Sequence, residues 1–259
     1  MKSVEEHWDD PKVESQYDKH LMHAEIGVIT KHIEKYICET ATRPPLILDI
    51  GCGECEAVRS YSQLPEVYVC AVDRSETRLK LARKNLKGKN NIELVQASVT
   101  DSLPFPDETF DIIVSQRCLI NLLTDEERLK AAAEILRVCK QGGQIILLEG
   151  STKGHEELNK AREHYDLPPI EVKWHNRFFS NEEILSLFRS EAGIIGIDQS
   201  LGGYLYLTRV VKPALLPDMP WDCRFNSAAG HDQVLKGVNG CARLTAWILQ
   251  KDFTGRSAG

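Results

Sequence analysis

The chain has 259 residues, of which 42% are hydrophobic and 27% are charged. This size and composition predict one sizeable α/β domain with insertions rather than two independent domains. Its 32 lysine and arginine residues face 38 aspartate and glutamate residues, so the net charge is −6, and the sequence contains no long basic run. The acidic balance argues against a nucleic-acid partner.

No stretch approaches about 18 uninterrupted apolar residues, the length that a membrane-spanning helix needs. The first ten residues, MKSVEEHWDD, lack the apolar core of a signal peptide. We therefore expect no membrane span and a cytoplasmic location. The eight cysteines are expected to be reduced thiols rather than a disulfide framework. The sequence leaves the oligomeric state open.

Apolar side chains recur at helical spacing through residues 12–39 and predict one or two amphipathic helices. This helical segment should end before Arg43-Pro44-Pro45, because a residue that precedes proline is disfavoured in a helix. Residues 1–42 are accordingly expected to form a helical cap on the rest of the chain.

The stretch LILDIGCGEC, residues 46–55, predicts a buried strand that leads directly into a tight turn. Gly51 and Gly53 allow a turn whose backbone can lie against a ligand. A second predicted strand, residues 67–72, ends at Asp73. The interval from Gly51 to Asp73 is close to the spacing of about 20 residues expected of an acid that binds a ribose. The pattern predicts a site for an adenosine-containing cofactor.

The residues after this turn distinguish between cofactors. A dinucleotide-binding turn requires a third glycine where this chain has Glu56, and it places a pyrophosphate at the start of the next helix. Glu54 and Glu56 would repel that anion. S-adenosylmethionine has no phosphate and carries two cationic groups, so acidic surroundings favour it. A nicotinamide oxidoreductase stays open as a remote alternative.

Helices and strands alternate after the first strand. Helices are predicted at residues 56–63, 75–86 and 124–139, and strands at residues 92–96, 111–115 and 144–149. The sequence TDEE at the start of the third of these helices is a capping-box pattern. The alternation predicts a doubly wound, mainly parallel sheet.

The final third of the chain predicts one helix at residues 181–190 and two strands. The strands are GYLYLTRVV, residues 203–211, and ARLTAWILQK, residues 242–251, of which the second should be the seventh strand. Segments at about residues 151–180 and 212–240 are predicted to be insertions. They should lie with the N-terminal helices over the carboxyl edge of the sheet, where ligands bind in this topology.

The order of motifs resembles that of the class I S-adenosylmethionine-dependent methyltransferases, most closely the small-molecule type similar to the ubiquinone/menaquinone biosynthesis methyltransferases. The first motif of that family, D-x-G-C-G-x-G, is matched from Asp49 onward, except that Cys55 replaces the last glycine. PFPDETFDIIVS, residues 104–115, leads into the fourth strand. KQGGQIILLEG, residues 140–150, resembles the family's K-P-G-G turn into the fifth strand, with glutamine in place of proline. The resemblance covers roughly residues 43–150.

This resemblance implies an α/β fold with a Rossmann-like doubly wound seven-stranded sheet, mainly parallel with an antiparallel last strand. Residues 1–42 would be the helical cap and residues 43–259 the methyltransferase domain. The cofactor would be S-adenosyl-L-methionine, its product S-adenosyl-L-homocysteine, and the partner a small-molecule methyl acceptor. The cofactor-binding residues that the resemblance implies, with Ser98 and Val99 flanking the adenine, are Tyr17, Asp49, Gly51, Cys52, Gly53, Asp73, Arg74, Ser98, Val99, Ser115 and Gln116.

Methyl transfer to a protonated acceptor needs a general base, and histidine is the natural residue near neutral pH. His175 is the first candidate because it lies in a predicted insertion between Trp174 and Asn176. His20 and His23, on the predicted cap helix, come next. Each of these histidines could instead be exposed or hold a structural hydrogen bond.

Arg117 follows the fourth strand, where related enzymes place residues near the methyl group or the substrate. Its guanidinium could hold a carboxylate or phosphate of the acceptor, although an ion pair with an acidic side chain fits the sequence equally well. Trp8 and Tyr17 belong to a segment that closes over the cofactor in related enzymes, and ordinary helix packing would explain them as well.

The residues SQRC, 115–118, argue against several other methyltransferase classes. Amino-directed nucleic-acid enzymes carry an N/D-P-P-Y type motif here, catechol-type enzymes a metal-binding carboxylate, and cytosine-5 enzymes a Pro-Cys nucleophile. Cys52 and Cys55 form a C-x-x-C, but no second cysteine pair lies at metal-ligand spacing. We predict metal-independent transfer of a methyl group to an O or N atom of a small, possibly anionic, metabolite. An RNA- or protein-directed methyltransferase and a non-catalytic cofactor-binding protein are the alternatives.

Overall fold

The computed structural model describes residues 3–10, 13, 18–189, 191–220, 222–231 and 240–252. One sheet organises the molecule, with its strands in the spatial order 3-2-1-4-5-7-6. The first five strands run parallel, and the seventh is antiparallel to both of its neighbours. This confirms the predicted Rossmann-like sheet with an antiparallel last strand. The strands are β1 (Leu46–Ile50), β2 (Tyr68–Asp73), β3 (Ile92–Gln96), β4 (Phe110–Gln116), β5 (Cys139–Gly150), β6 (Ala192–Asp198) and β7 (Leu244–Lys251).

Helices cover both faces of the sheet, and none of those in the described ranges is long and apolar enough to cross a membrane. The predicted capping box is confirmed, because the Thr124 hydroxyl accepts from the Glu127 N–H while the Glu127 carboxylate accepts from the Thr124 N–H. A 3₁₀ turn spans Leu119–Asn121 and a π turn spans Leu207–Val211. The helices are α1 (Val4–Trp8), α2 (Lys19–Glu39), α3 (Glu56–Tyr61), α4 (Glu76–Asn85), α5 (Asp125–Val138), α6 (Thr152–Glu163), α7 (Asn181–Phe188), α8 (Gly202–Tyr206), α9 (Lys212–Leu215) and α10 (Arg224–His231).

Two apolar clusters form the core, one on each face of the sheet. β4 shows the division, because Ile112 and Val114 contribute to the cluster beneath α2, α3 and α6, whereas Ile113 contributes to the cluster beneath α5 and α7. A strand covered on both faces needs apolar side chains in both directions. This is why β1, β4 and β5 read as nearly continuous apolar runs.

The prediction of a strand at residues 203–211 is wrong. These residues form α8 and the π turn, and the sixth strand is β6, whose sequence is AGIIGID. The Thr208 hydroxyl donates to the Tyr204 carbonyl at 2.8 Å, a contact between side chain and preceding turn that only a helix provides. Aromatic and β-branched residues favour strands locally, but tertiary packing determines which secondary structure forms. The two glycines of β6, Gly193 and Gly196, weakened the true strand signal.

The segment at residues 151–180, predicted to be an insertion, begins with the twelve-residue helix α6. The chain then runs without a further helix to Ser180, the N-cap of α7. A parallel bridge between Ser151 and Phe179 returns the end of this segment to the carboxyl end of β5.

Candidate cofactor and acceptor site

The turn after β1 is tied directly to β2. The N–H groups of Gly51 and Cys52 both donate to the Val72 carbonyl, at 2.8 and 3.0 Å. Gly51 and Gly53 have φ angles of 70° and 53°, in the left-handed region that glycine adopts without strain. The two glycines therefore let the chain reverse at the carboxyl ends of two parallel strands.

Asp73 lies at the end of β2, where the sequence predicted a ribose-binding acid. One carboxylate oxygen accepts from the Gly53 N–H and the other from the Ser75 N–H, both at 2.9 Å. Burial raises the pKa of Asp73, and these two hydrogen bonds together with Arg78 and Arg74 oppose that rise. A carboxylate has about four acceptor positions. Capacity for a ribose diol therefore remains.

Gly51 is packed so closely that any side chain would collide. A Cβ built at Gly51 would lie 2.4 Å from the Sγ of Cys118, the residue that follows Arg117 beyond β4. The turn after β1 and the loop after β4 are thus in direct contact, because Cys118 of that loop packs on the backbone of Gly51.

Replacing Gly51 by alanine should lower the free energy of unfolding by roughly 2–4 kcal/mol, because overpacking adds to the strain of a left-handed alanine. Urea unfolding measures the change. Gly27→Ala is the matched control, since a Cβ at Gly27 in α2 meets nothing within 4 Å. Adding Cys118→Gly to Gly51→Ala should recover part of the loss. Equal stability of the Gly51 and Gly27 variants would contradict this explanation.

Cys55, the departure from the family motif, also has a left-handed backbone, with φ 64°. It is the N-cap of α3, it makes no side-chain capping hydrogen bond, and its side chain is fully buried. The chain therefore keeps the backbone conformation that a glycine would adopt here and adds a buried thiol. Its neighbour in the C-x-x-C, Cys52, is likewise a free thiol.

Glu54 forms an ion pair with Arg78, with Oε1 and Nη1 2.9 Å apart. Part of the repulsion that Glu54 was expected to exert on a pyrophosphate is therefore cancelled. Arg78 also donates to the carbonyls of Trp8 and Asp10, both at 2.9 Å. One buried guanidinium thus joins the cofactor turn to the N-terminal segment.

Two predicted cofactor residues point into the protein. Asp49 is buried in β1 and accepts a hydrogen bond from the Tyr61 hydroxyl, and burial raises the pKa of Asp49 to about 7. The Ser115 hydroxyl donates to Glu149 at 2.6 Å. Both residues therefore support the strand ends through their side chains and have only backbone groups to offer a ligand.

The other predicted cofactor residues occupy loops that follow β2 and β3. Arg74 pairs with Glu5 of α1, at 2.6 Å between Nη1 and Oε1. The Ser98 hydroxyl lies 2.8 Å from the Thr100 hydroxyl, and Val99 is buried. Tyr17 lies outside the described residues.

Gln116 and Arg117 converge on one buried acid, Glu25 of α2. Gln116 Nε2 donates to Glu25 Oε2 at 2.5 Å, and Arg117 Nε lies 3.2 Å from the same oxygen. Burial raises the pKa of Glu25, and Arg117 opposes that rise. The ion pair with an acid, one of the two possibilities for Arg117, is thus the one that the structure contains. Residue spacing gave no sign of Glu25.

The loop after β4 is anchored by Glu149, a fully buried acid near the end of β5. Besides Ser115, its carboxylate accepts from the backbone N–H groups of Cys118, Leu119 and Ile120, at 3.0–3.2 Å. The loop that meets Gly51 is therefore positioned by one carboxylate. The only sequence signal for Glu149 was an acid at the end of the apolar run IILLE.

His175 is buried in a cluster of aromatic rings that joins the insertion to α1. Its ring stacks on His7 with centroids 4.2 Å apart, and Trp8 and Trp174 meet it edge-on at 5.5 and 5.3 Å. The Trp8 indole N–H donates to Asn121, just beyond Arg117, at 3.2 Å. The predicted aromatic surroundings of His175 therefore lie beside the loop after β4.

Burial and the nearby charges of His7 and Lys173 lower the pKa of His175 from its ordinary value of 6.5 to about 4. The unfolded chain binds a proton between pH 6.5 and 4 that the folded chain excludes, so stability should fall as the pH falls through this range. Between pH 7 and pH 5 the His175→Leu variant should therefore lose roughly 1–2 kcal/mol less unfolding free energy than the unmodified protein. Urea unfolding at pH 7 and pH 5 tests this. The control is His164→Leu, which replaces an exposed histidine. Identical pH dependence in both variants would disprove it.

His20 and His23 lie on α2. His20 Nε2 is 3.2 Å from a carboxylate oxygen of Asp222, beside α10. His23 lines a surface groove between α2 and α3, together with Lys19 and Arg59.

Comparison with known proteins agrees with this geometry. Residues 47–143 match the family model described as a methyltransferase domain. Over 133 residues the chain is 36% identical to the ubiquinone/menaquinone biosynthesis C-methyltransferase UbiE of Cronobacter sakazakii and 35% identical to that of Escherichia coli. These matches cover 49% of this chain and 51% of either relative, so the chain spans about half the length of these relatives.

Solved structures share the fold at lower identity. An S-adenosylmethionine-dependent methyltransferase from Methanosarcina mazei superposes with a TM-score of 0.56 at 18% identity, covering 85% of this chain and 97% of that one. The [4+2]-cyclase SpnF gives a TM-score of 0.56 at 17% identity, covering 86% and 80%. The family match and the sheet order agree: residues 47–143 are similar to a methyltransferase domain and lie in a Rossmann-like sheet.

Proposed function

We propose that the protein transfers a methyl group from S-adenosylmethionine to an O or N atom of a small metabolite, without a metal ion. The observation that carries this proposal is the hydrogen bond from the Gly53 N–H to Asp73, on a turn whose Gly51 is packed against the loop after β4. It joins the three strand ends at which this family binds its cofactor.

The residues present fit that cofactor. Asp73 would hold the ribose hydroxyls, the backbone at Gly51 and Gly53 would lie against the adenosyl and methionyl parts, and Ser98 with Val99 would flank the adenine. When bound, S-adenosylmethionine supplies a methyl group made electrophilic by its sulfonium. The carboxylate and ammonium of S-adenosylmethionine balance each other, and its remaining sulfonium charge suits an acidic neighbourhood.

The chain's own contribution would be positioning and exclusion of water, which supply much of the acceleration in a displacement of this kind. α1 and the cluster around His175 cover the carboxyl edge of the sheet. With a pKa of about 4, His175 is a weak base near neutral pH. We propose that it lines the acceptor site, and His175→Ala should then lower turnover while leaving cofactor affinity unchanged.

A coupled assay of S-adenosylhomocysteine release over carboxylates, sugars, phenols and amines tests the activity. Release above the acceptor-free background with one class would support the proposal. The phenols also include carbon acceptors, the type that the names of the UbiE relatives state. Binding of S-adenosylhomocysteine without release from any class would instead indicate a protein of this fold that does not transfer methyl groups. The fold alone does not decide the activity, since the cyclase SpnF shares it.

A further inference from the structure

Three side chains meet at the carboxyl end of β5, and we call them the β5-edge group: His155, Phe178 and Arg243. The Phe178 ring lies on Gly150, where a Cβ would be 2.3 Å from it. His155 meets that ring edge-on with centroids 5.4 Å apart, and the Arg243 guanidinium carbon is 5.1 Å from the same ring's centroid. Because Leu244 pairs with Gly150, Arg243 lies at the edge of the sheet where ligands bind.

The hydrogen bonds of Asn159 determine which nitrogen of His155 carries the proton. Asn159 Oδ1 accepts from the Ile170 N–H at 2.9 Å and its Nδ2 donates to the Ile170 carbonyl at 3.1 Å, so the amide can take only one orientation. Nδ2 also lies 3.3 Å from His155 Nε2. Nε2 must therefore be the acceptor, and Nδ1 of the neutral ring carries the hydrogen. That Nδ1 is buried and has no hydrogen-bond partner among the residues that the structure describes.

Arg243 is the second donor of the β5-edge group without a matching acceptor. Within the described ranges no carboxylate oxygen pairs with it, and its hydrogen bond to the Glu171 carbonyl is long, at 3.4 Å. Burial and the positive charge of Arg209 lower the pKa of Arg243 to about 10, and burial and Arg243 in turn lower the pKa of His155. Arg243 is partly buried. A partly buried cation that lacks a carboxylate partner among the described residues is costly, and a bound anion would reduce that cost.

The surrounding charges leave this positive excess in place. Arg209 is matched by Asp18, at 2.9 Å between Nη2 and Oδ2. Buried Arg162 donates to the carbonyls of Pro168 and Arg209, and no carboxylate pairs with it in the part of the chain that the structure describes. Glu171 is a nearby acid with an exposed side chain, and its negative charge opposes the lowering of the pKa of His155.

We propose that His155 and Arg243 bind an oxyanion, a carboxylate or phosphate carried by the methyl acceptor. Arg243 would contribute two parallel N–H donors and His155 Nδ1 a third, the arrangement that recognises an oxyanion geometrically. The identification of this group as part of the acceptor rests on the proposed function, whereas the donors themselves do not. Arg117 is not required for this role, because Glu25 already neutralises it.

The test uses phosphate and acetate as probes, added to the full chain at constant ionic strength with chloride as the reference. The melting temperature should rise with either probe in the unmodified protein. Arg243→Met and His155→Phe, which keep bulk but remove the donors, should each weaken that binding about tenfold or more. Arg83→Met, an exposed arginine of α4 paired with Glu76, is the matched control and should respond like the unmodified protein.

Absence of a probe-specific rise in the unmodified protein, or an unchanged response in both donor variants, would overturn the proposal. If Arg243→Met does not fold, His155→Phe still decides, because it leaves every charge in place. Calorimetry with S-adenosylhomocysteine separates this outcome from the proposed function. Loss of oxyanion binding with intact cofactor affinity concerns the β5-edge group alone, whereas an unmodified protein that does not bind the cofactor product contradicts the methyltransferase assignment itself.

Discussion

Asp73→Ala should weaken S-adenosylhomocysteine binding at least about 100-fold, because two hydrogen bonds between the ribose and a charged acceptor disappear together. Asp73 is the residue predicted to hold the ribose hydroxyls through its side-chain carboxylate. Isothermal titration calorimetry measures the affinity directly. Asp73→Asn, which keeps one carbonyl oxygen, should lie between the alanine variant and the unmodified protein.

Two controls make the Asp73 result interpretable. Asp107→Ala removes an exposed acid paired with Arg137 and should leave the affinity unchanged. Because Asp73 also accepts from Gly53 and Ser75, the far-ultraviolet circular dichroism and melting temperature of each variant establish that the fold persists. A folded Asp73→Ala protein with unaltered affinity would disprove the assignment of the ribose site.

Glu149→Ala should cost roughly 3–5 kcal/mol of unfolding free energy, the largest loss of stability that we expect from a single polar side chain here. The substitution leaves three backbone N–H groups and the Ser115 hydroxyl without their acceptor in a buried place. Urea unfolding followed by tryptophan fluorescence gives the value. Glu149→Gln keeps one oxygen acceptor and should cost less.

Glu126→Ala is the control for the Glu149 variant, because this exposed acid of α5 makes an i,i+4 pair with Lys130. Its loss should be much smaller than that of Glu149→Ala, because an exposed ion pair contributes little to stability. If the two alanine variants lost similar stability, Glu149 would not be the anchor of the loop after β4. A Glu149 variant that remains folded should also bind S-adenosylhomocysteine more weakly, since the loop carrying Cys118 packs on Gly51.

The sequence predicted best that part of the site whose residues lie near one another in the chain. Gly51, Gly53 and Asp73 belong to two consecutive parallel strands, and their relation follows from strand length and turn conformation alone. Local pattern is sufficient there because neighbouring strand ends meet at one edge. The departure at Cys55 was visible too, and its left-handed backbone explains why the position favours glycine.

Pairs that join distant elements could not be predicted. Glu25 and Arg117 approach only because α2 packs over the end of β4, and nothing in either local sequence specifies that packing. The two interpretations of Arg117, an anion-binding residue and an ion-pair partner, were therefore equivalent until the fold was known. His155 shows the same limit, since its protonated nitrogen is determined by Asn159 and Ile170 together.

The error at residues 203–211 has a different origin. Tyr204 and Thr208 are strand-favouring residues, but their position beside α6 and α2 places them in a helical layer rather than in the sheet. The π turn that follows adds one residue to a helical turn, which no apolar periodicity of 3.6 or 2 describes. The local propensity of these residues favours a strand, but tertiary packing makes them helical.

α1 has five residues and no buried side chain, so it cannot be stable by itself. Its place is held by contacts to four separate parts of the molecule: Arg74 after β2, Arg78 in α4, Asn121 beyond β4, and His175. Undocking of α1 would open the edge of the sheet without disturbing the core. We therefore expect undocking of α1 to change the rates at which ligands enter and leave, and an affinity tag placed next to α1 to alter association kinetics.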